Sequence, residues 1–461
     1  MSSLLIPVSL FTKVFSYGMP GSIAELPFIF FFIMILFVAS QRTDVLTIPH
    51  ISSRVVVYVL ALMGAQFFAI ARSSMQFNNS VQAIGMGTSF VNIIGIIATV
   101  VLAYYAVVLT VTNEAQIRGF IKATIWSIIV LEVVVLMPQI VASSSSFFHG
   151  WVNLMGTLFE SRWHGRDFYT NGSYATTLHR INGFEPEAGY LAGQIGLTFM
   201  PLMIAGLANH FDVFSGKTAE KHRQHYWWLV ALFVVVLGTL FFAKTSTGFL
   251  VMGLSLCLLF WKAPKHDKHF LLGLAAGGLV VLILAYVFVG PIRNMLNQYI
   301  FRKSGTDNRA GGTIALFVTF FQHPFIGVGN SWVSPYLVEN SPAWSKHNWE
   351  YIYVYSQGGY PILSVWGGWL AQFGLLGTVP VGVYLWRKVK PAVLRLRSLK
   401  RQNELIDNER LLKYIIDAFE VYLVMFAVLA ALIFSWSQYY ILLPLFFYIV
   451  GIRVLEQNIE N

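Results

Sequence analysis

Two stretches of this sequence combine acidic and basic side chains in a way that suits chemistry on phosphates and sugars. The first is residues 179–187, HRINGFEPE, in which Arg180 precedes Glu185 and Glu187. Arginine binds phosphate oxygens bidentately, and a carboxylate within hydrogen-bond reach of a hydroxyl acts as a general base. This stretch therefore suits a site for a charged lipid headgroup and a sugar hydroxyl. A plainer interpretation is open, in which Glu187 stabilises the first turn of a helix beginning near Ala188 and Arg180 extends to the membrane surface.

The second stretch, residues 291–360, contains five cations and three acids: Arg293, Arg302, Lys303, Arg309 and Lys346, with Asp307, Glu339 and Glu350. This excess of positive charge suits phosphate binding, although nonspecific contact with lipid headgroups would also explain it. The stretch also has a further candidate base, His347, within an aromatic segment that runs from Trp344 to Tyr355. Aromatic side chains there fit either an interfacial belt or stacking against sugar rings.

The elements that must position these residues are membrane helices. The 461 residues are 56% hydrophobic and 11% charged, with a mean hydropathy of +0.63. A soluble globular chain carries about 25% charged residues, so this composition excludes a soluble protein, and it excludes intrinsic disorder as well. The single cysteine, Cys257, excludes an intrachain disulfide framework. We therefore predict an all-α polytopic membrane protein.

Apolar runs long enough to cross the hydrocarbon core predict eleven spans. They are residues 24–40, 55–72, 86–112, 123–142, 188–208, 226–243, 246–261, 270–290, 361–386, 414–433 and 437–454. The first twenty residues are interrupted by Pro7 and Lys13, and they form either a twelfth span or an interfacial helix. They are not expected to be a signal peptide, because no small-residue cleavage site follows an apolar core. Residues 1–461 are thus expected to form a single membrane domain with about 11 to 12 transmembrane helices.

The orientation follows from lysine and arginine. The connection 387–413 contains nine of them, and the positive-inside rule assigns it to the cytoplasm as a basic loop. Parity then places 143–187 and 291–360 outside as two large extracytoplasmic loops, with a cytoplasmic C-terminus. The net charge of +10 is accordingly a topology signal, and its natural partners are anionic lipids in the bilayer. No nucleic-acid partner is predicted.

Few charges lie within the spans. Glu132 is the exception, and an acid at that depth costs about 2.5–3.5 kcal/mol. A proton-coupled carrier would use such a residue, but the plainer interpretation is a protonated side chain that is hydrogen-bonded to a neighbouring helix.

No histidine, cysteine or acid spacing predicts a metal site, and we expect neither a metal nor a cofactor. The histidines at 222, 225, 266 and 269 are interpreted as solvated.

Several short motifs follow one another in a characteristic order. Arg180 precedes GFEPEAG at 183–189, and a tight turn between paired spans lies at 244–248. Arg309 then precedes an apolar run at 313–321, and the chain continues with HPFIGVG at 323–329, His347-Asn348 and QFGLLG at 372–377. This order resembles the O-antigen polymerase and ligase superfamily of bacterial membrane glycosyltransferases over roughly residues 150–390, with the Wzy-type polymerase branch favoured. The tight turn has Ser246-Thr247 where that family usually has Ser-Arg.

The resemblance implies glycosyl transfer at the outer face of the plasma (inner) membrane. A polymerase of this kind moves the growing chain from undecaprenyl pyrophosphate onto the next lipid-linked oligosaccharide repeat, and the product is O-antigen, capsule or exopolysaccharide. Arg180, Arg309, Arg302 and Arg293 would bind the pyrophosphate. Glu187, Glu185 or His347 would be the general base, and no divalent metal is required. A chain-length regulator protein is an expected partner.

Two other activities remain open. A ligase would transfer the finished polysaccharide to an acceptor and would share Arg180 and Arg309, with His347 as the base. A transporter of lipid-linked sugars would have no chemistry of its own, and only Glu132 favours it. A noncatalytic scaffold would leave the arginines of 291–360 unexplained.

Overall fold

The computed structural model describes residues 1–11, 26–41, 52–78, 80, 84–162, 167–215, 217–218, 223–298, 306–399, 405–433 and 436–460. Most of these residues are helical. Within the described ranges the only sheet is one antiparallel pair of two-residue strands, β1 (Phe211–Asp212) and β2 (Lys217–Thr218).

Seventeen helices are labelled here in chain order. They are α1 (Leu5–Phe11), α2 (Leu26–Gln41), α3 (Ser53–Gln76), α4 (Met86–Thr110), α5 (Glu114–Ala142), α6 (His149–Phe159), α7 (Tyr174–Leu178), α8 (Ala188–Asn209), α9 (Arg223–Phe242), α10 (Ser246–Lys262), α11 (Lys265–Phe288), α12 (Gly290–Leu296), α13 (Thr306–Gln322), α14 (Val333–Asn340), α15 (Val365–Leu399), α16 (Asp407–Leu429) and α17 (Tyr439–Glu460). Short helical turns lie at Ser2–Leu4, Asp167–Tyr169, Ala343–Lys346, Tyr351–Tyr355 and Ser356–Gly358.

Seven of these helices are long and apolar enough to cross a membrane, which supports the predicted all-α polytopic class. They are α3, α4, α5, α8, α9, α15 and α17. The predicted spans 24–40, 246–261 and 270–290 fall on shorter apolar helices. The predicted span 414–433 falls on α16, which carries Lys413, Asp417 and Glu420.

The N-terminal residues are part of the bundle. The Ser2 hydroxyl donates to the main-chain oxygen of Gln116 at 2.7 Å, and Leu5 and Ile6 are buried. At the other end of α1, the Phe11 ring lies 6.0 Å from that of Phe184. The described part of this segment therefore packs against α5 rather than lying apart from the bundle.

Contacts between connecting segments define two ends of the bundle. At one end Arg118 pairs with Asp407 at 2.8 Å and Lys262 pairs with Asp417 at 2.7 Å. We call this the basic end, because α15 brings the basic residues of 387–399 to it. At the opposite end, called the loop end, the Gln139 side chain contacts Gly183 and the main-chain nitrogen of Val365 donates to the oxygen of Ala430.

Within the stretch 291–360, residues 323–330 enter the bundle between α3 and α15. The Val328 nitrogen donates to the Ala371 oxygen at 2.8 Å, and the Leu375 nitrogen donates to the Pro324 oxygen at 2.8 Å. Gln66 of α3 donates to the oxygens of both Ile326 and Gln372, at 3.2 and 3.0 Å. These bonds satisfy non-helical backbone that would be costly in an apolar environment.

The helical geometry of α15 is interrupted at Gly374, where residues 323–330 pack against it. Gly374 has φ 60° and ψ −163°, and a Cβ there would lie 2.4 Å from the Phe325 oxygen. A side chain would therefore face both backbone strain and a clash with main-chain atoms.

We expect Gly374→Ala to destabilise the protein by at least about 1–2 kcal/mol, the cost of a left-handed residue before the clash is added. Gly382→Ala is the matched control on the same helix, because a Cβ at Gly382 meets no atom within 4 Å. Thermal unfolding in detergent, followed by intrinsic fluorescence, measures both. Equal melting temperatures for the two variants would contradict the packing described.

Candidate functional site

Gln139, near the end of α5, fixes the turn that carries the first acidic and basic stretch. Its amide nitrogen donates to the Gly183 oxygen at 2.9 Å, and its amide oxygen accepts from the nitrogens of Gly183 and Asn182 at 2.9 and 3.2 Å. Gly183 has φ 61°, and a Cβ there would lie 3.1 Å from the Leu191 side chain. One side-chain amide therefore holds this glycine turn against the helix bundle.

Glu160 joins the turn to the rest of the segment 143–187. It is 2% exposed, and its Oε1 accepts from Asn182 Nδ2 at 2.7 Å and from the Tyr174 nitrogen at 3.0 Å. The Ser173 hydroxyl donates to the same oxygen at 3.2 Å, and Arg162 Nε donates to Oε2 at 3.2 Å. Burial raises the pKa of Glu160, and these hydrogen bonds and the Arg162 charge oppose the rise. A single buried carboxylate thus connects three separate parts of the segment.

Glu185 and Glu187 have different surroundings. Glu185 is 2% exposed, and its Oε1 accepts from Gln194 Nε2 at 2.6 Å, so its carboxylate is directed against α8. Pro186, which lies between the two glutamates, is held through its main chain, because the Tyr169 hydroxyl donates to its oxygen at 2.9 Å. Glu187 is partly exposed at the N-terminal flank of α8, with extended backbone. Of these two acids, Glu187 is the one a ligand can approach.

Two cations lie near the start of α8, which Glu187 precedes. Arg180 is 6.0 Å from the centroid of the Tyr174 ring, and Lys244 Nζ donates to the His179 oxygen at 2.9 Å. Burial lowers the pKa of Lys244, and the nearby Arg180 charge lowers it further. Burial raises the pKa of Tyr174 to about 12, with Arg180 opposing the rise and Glu187 adding to it. These charges act on one another because they occupy one small region of the loop end.

Two helices begin at the same place. Lys244 lies in the tight turn between α9 and α10 with φ 49°, and a Cβ at Gly248 would lie 2.7 Å from the Leu240 oxygen. The hydroxyls of Thr245 and Thr247 each lie 3.9 Å from the Cβ position of Gly189, in the first turn of α8. The starts of α8 and α10 are therefore adjacent. The Ala188 N–H at the start of α8 is directed at the Tyr174 hydroxyl oxygen. The positive ends of the two helix dipoles add to the charge of Arg180 and Lys244, and such a place favours an anion.

Arg309 belongs to the same end of the bundle. Its Nη1 donates to the Leu432 oxygen at 3.1 Å. The following residue, Ile433, has a side-chain carbon 3.6 Å from the Cβ position of Gly193 on α8. Arg309 therefore contacts the turn that packs on the helix beginning beside Glu187.

The structure connects the other predicted site residues to Glu187 less directly or not at all. His347 is exposed, and its neighbour Asn348 exchanges two hydrogen bonds of 2.8 and 2.6 Å with Asn308. His347 is therefore held near the start of α13, where Arg309 lies. Arg293 is exposed on α12, and no contact among the described residues joins it to Glu187. Arg302 lies outside the described residues.

Sequence reasoning missed Glu160, Gln139 and Tyr174. Of the histidines interpreted as solvated, His225 and His266 each lie beside an aspartate, and the side chain of His266 is 74% exposed. His225 Nδ1 lies 2.7 Å from Asp212 Oδ2, and His266 Nε2 lies 3.1 Å from Asp267 Oδ1. His269 is exposed as expected, and residue 222 lies outside the described ranges.

Glu132 is buried where α5 makes a π-helical turn over Glu132–Leu136. It is 2% exposed, and its Oε2 accepts from the Thr239 hydroxyl at 2.7 Å. Thr239 belongs to α9, so this contact is the hydrogen bond to a neighbouring helix that the plainer interpretation requires.

No family model matches the chain, and no curated protein matches it.

We expect Glu160→Ala to destabilise the protein by about 3 kcal/mol or more, because the buried donors of Tyr174, Asn182 and Arg162 lose their acceptor. Glu160→Gln should destabilise the protein less, since its amide oxygen can still accept from the donors of Tyr174 and Asn182. Glu339→Ala, which removes an exposed acid, is the control. Thermal melting and limited proteolysis within 143–187 measure the effect. A Glu160→Ala protein that resists both as well as Glu339→Ala does would disprove the role assigned to this carboxylate.

Proposed function

We propose that the protein is a metal-independent membrane glycosyltransferase that polymerises undecaprenyl-pyrophosphate-linked oligosaccharide repeats at the outer face of the bacterial plasma membrane. The observation that carries the proposal is the meeting of Arg180 and Lys244 at the adjacent starts of α8 and α10, beside Glu187. The motif order that resembles the polymerase branch supports the choice of substrate.

The cations and helix starts fit the leaving group. A pyrophosphate gains negative charge as its bond to the sugar breaks, and preorganised positive charge stabilises that change. Arg180 offers a planar set of donors, and Lys244 offers a point charge held in place through the His179 oxygen. Arg309 lies at the same end and would contact the more distant phosphate or the sugar chain.

Glu187 fits the general base. The acceptor hydroxyl oxygen forms a bond to the anomeric carbon of the donor, and the bond from that carbon to the pyrophosphate oxygen breaks. The hydroxyl proton passes to Glu187, and the bond's electron pair leaves with undecaprenyl pyrophosphate. Glu185 is directed into the protein by Gln194, and we assign it to positioning the turn. His347 is the base in the ligase alternative.

The orientation of the site follows from charge. The basic end of the bundle contains the arginines and lysines of 387–399, which the positive-inside rule assigns to the cytoplasm. The loop end would then face the periplasm or the cell exterior, where lipid-linked repeats are polymerised. The C-terminus, which follows α17, would be cytoplasmic.

We expect Glu187→Gln to slow polymerisation by about 10²–10⁴-fold, because the acceptor hydroxyl loses its base. Glu185→Gln is the matched control two residues away, and it should keep most of the activity because its amide oxygen still accepts from Gln194. The assay supplies the host's lipid-linked repeats to protein in nanodiscs, with EDTA present, and resolves the products as a ladder on a gel. A normal ladder from Glu187→Gln would exclude Glu187 as the base.

The wild-type protein in this assay also separates the alternatives. A ladder of lengthening chains supports a polymerase. Transfer of a finished chain to an acceptor without a lipid pyrophosphate would indicate a ligase. No product, together with movement of intact lipid-linked repeats across a liposome bilayer, would indicate a carrier and direct attention to Glu132.

We expect the KM for the lipid-linked donor to rise with pH in the wild type, beginning at a pH below the 10.5 at which lysine ordinarily titrates. The pKa of Lys244 is lowered, so raising the pH removes its positive charge earlier than usual and weakens pyrophosphate binding. Lys244→Arg keeps its charge and should keep a low KM over the same range. Lys346→Arg, at a partly buried lysine that bonds to the Val338 oxygen, is the control and should follow the wild type. A wild-type KM that does not change with pH would contradict the role of Lys244.

A further inference from the structure

At the basic end, three side chains bring possible metal ligands together. His210 follows the last residue of α8, and His266 and Asp267 lie in the first turn of α11. His210 Nε2 lies 3.0 Å from Asp267 Oδ2, and His266 Nε2 lies 3.1 Å from Asp267 Oδ1. One ligand atom from each residue lies within 4.8 Å of the others, and this is the only such group among the described residues.

The geometry is close to that of a metal site. The two imidazole rings are nearly parallel, at 10° with centroids 6.0 Å apart, so both present Nε2 to the same carboxylate. Ligands of a tetrahedral zinc ion with bonds of about 2.0–2.2 Å lie roughly 3.3 Å apart. Each Nε2 already lies at about this spacing from one oxygen of Asp267, His210 from Oδ2 and His266 from Oδ1. The three ligand atoms lie within 4.8 Å of one another and would draw closer around a metal ion.

Neighbouring residues hold the ligands in place. The Tyr226 ring stacks on His210 at 4.8 Å and 22°. The Asp267 nitrogen donates to the Pro264 oxygen at 3.0 Å, which fixes the first turn of α11. His210 adopts φ 49°, a left-handed conformation that a histidine adopts only at a small cost in strain. The ring is therefore oriented by its surroundings rather than free to rotate.

We propose that His210, His266 and Asp267 bind a divalent transition-metal ion such as Zn²⁺ at the basic end of the bundle. Two imidazole nitrogens and a carboxylate oxygen are a ligand set that zinc accepts, with a fourth position open to water. The side chains of His210 and His266 are 43% and 74% exposed, so the open position faces solvent. Lys265, which is exposed, and Lys268, which is partly buried, flank the site and reduce its affinity for a cation, but solvent and salt weaken their effect.

Metal titration of the purified chain, prepared without a histidine tag, tests the proposal. Wild-type protein in detergent should bind one equivalent of Zn²⁺ in competition with a chromophoric chelator, and its melting temperature should rise with Zn²⁺. His210→Asn and Asp267→Asn should each weaken binding at least tenfold and lose that rise. Asparagine accepts the left-handed backbone, so His210→Asn should melt like the wild type when no metal is present.

His269→Asn is the matched control, because His269 is exposed on the same helix outside the cluster. It should bind Zn²⁺ like the wild type. Equal binding by His210→Asn and wild type, or no binding by the wild type, would overturn the proposal. Binding that appears only as the chain oligomerises would overturn it too, since the three ligands come from one chain. None of these outcomes depends on glycosyl transfer.

Discussion

The buried carboxylate of Glu160 holds together the segment from which the candidate site is built. Burying a charge is costly unless donors surround it, and here an amide, a main-chain N–H, a hydroxyl and a guanidinium converge on one side chain. These donors come from parts of the chain up to 22 positions away, so one carboxylate joins residues that are distant in sequence. Other bonds support it, such as that from the Ser161 nitrogen to the Phe184 oxygen at 2.8 Å. Gln139 then attaches this segment to α5 through its bonds to the turn at Gly183. The positions of Arg180 and Glu187 follow from this arrangement, since both flank the turn that Glu160 and Gln139 hold.

Two like charges lie close together at the site. Arg180 and Lys244 are close enough to lower the pKa of the lysine, and they lie where two helix starts add positive charge of their own. Glu187 offsets only part of this charge. Folding alone does not require such a cluster, because either cation could have been placed in water at little cost. A ligand with two negative charges would relieve the repulsion, and for this reason we interpret the cluster as an anion site rather than a structural one.

The sequence predicted the features that depend on local pattern, and it could not predict those that depend on distant contacts. The helices follow from apolar runs, and the tight turn at Lys244 follows from two runs with almost no gap between them. The difference in exposure between Glu185 and Glu187 could not be predicted, because it depends on a hydrogen bond from Gln194 to Glu185. The burial of residues 323–330 depends on Gln66, more than 250 positions earlier in the chain. His210 and His266 are 56 positions apart, and only the packing of α8 beside α11 brings them together.

The helix α8 connects the two places where charged or ligating groups gather. Its first residue follows Glu187 and its last precedes His210, and its 22 residues span about 33 Å. At that separation the direct electrostatic effect of a metal at the basic end on the anion site is small, because solvent screens charge at both ends of the bundle. Any influence must pass through the position of α8, which has a π-helical turn over Ile195–Phe199 and is held at Asn209 by Asp417. A metal that ties His210 to α11 would therefore fix the end of α8, and its effect on the loop end would be mechanical rather than chemical.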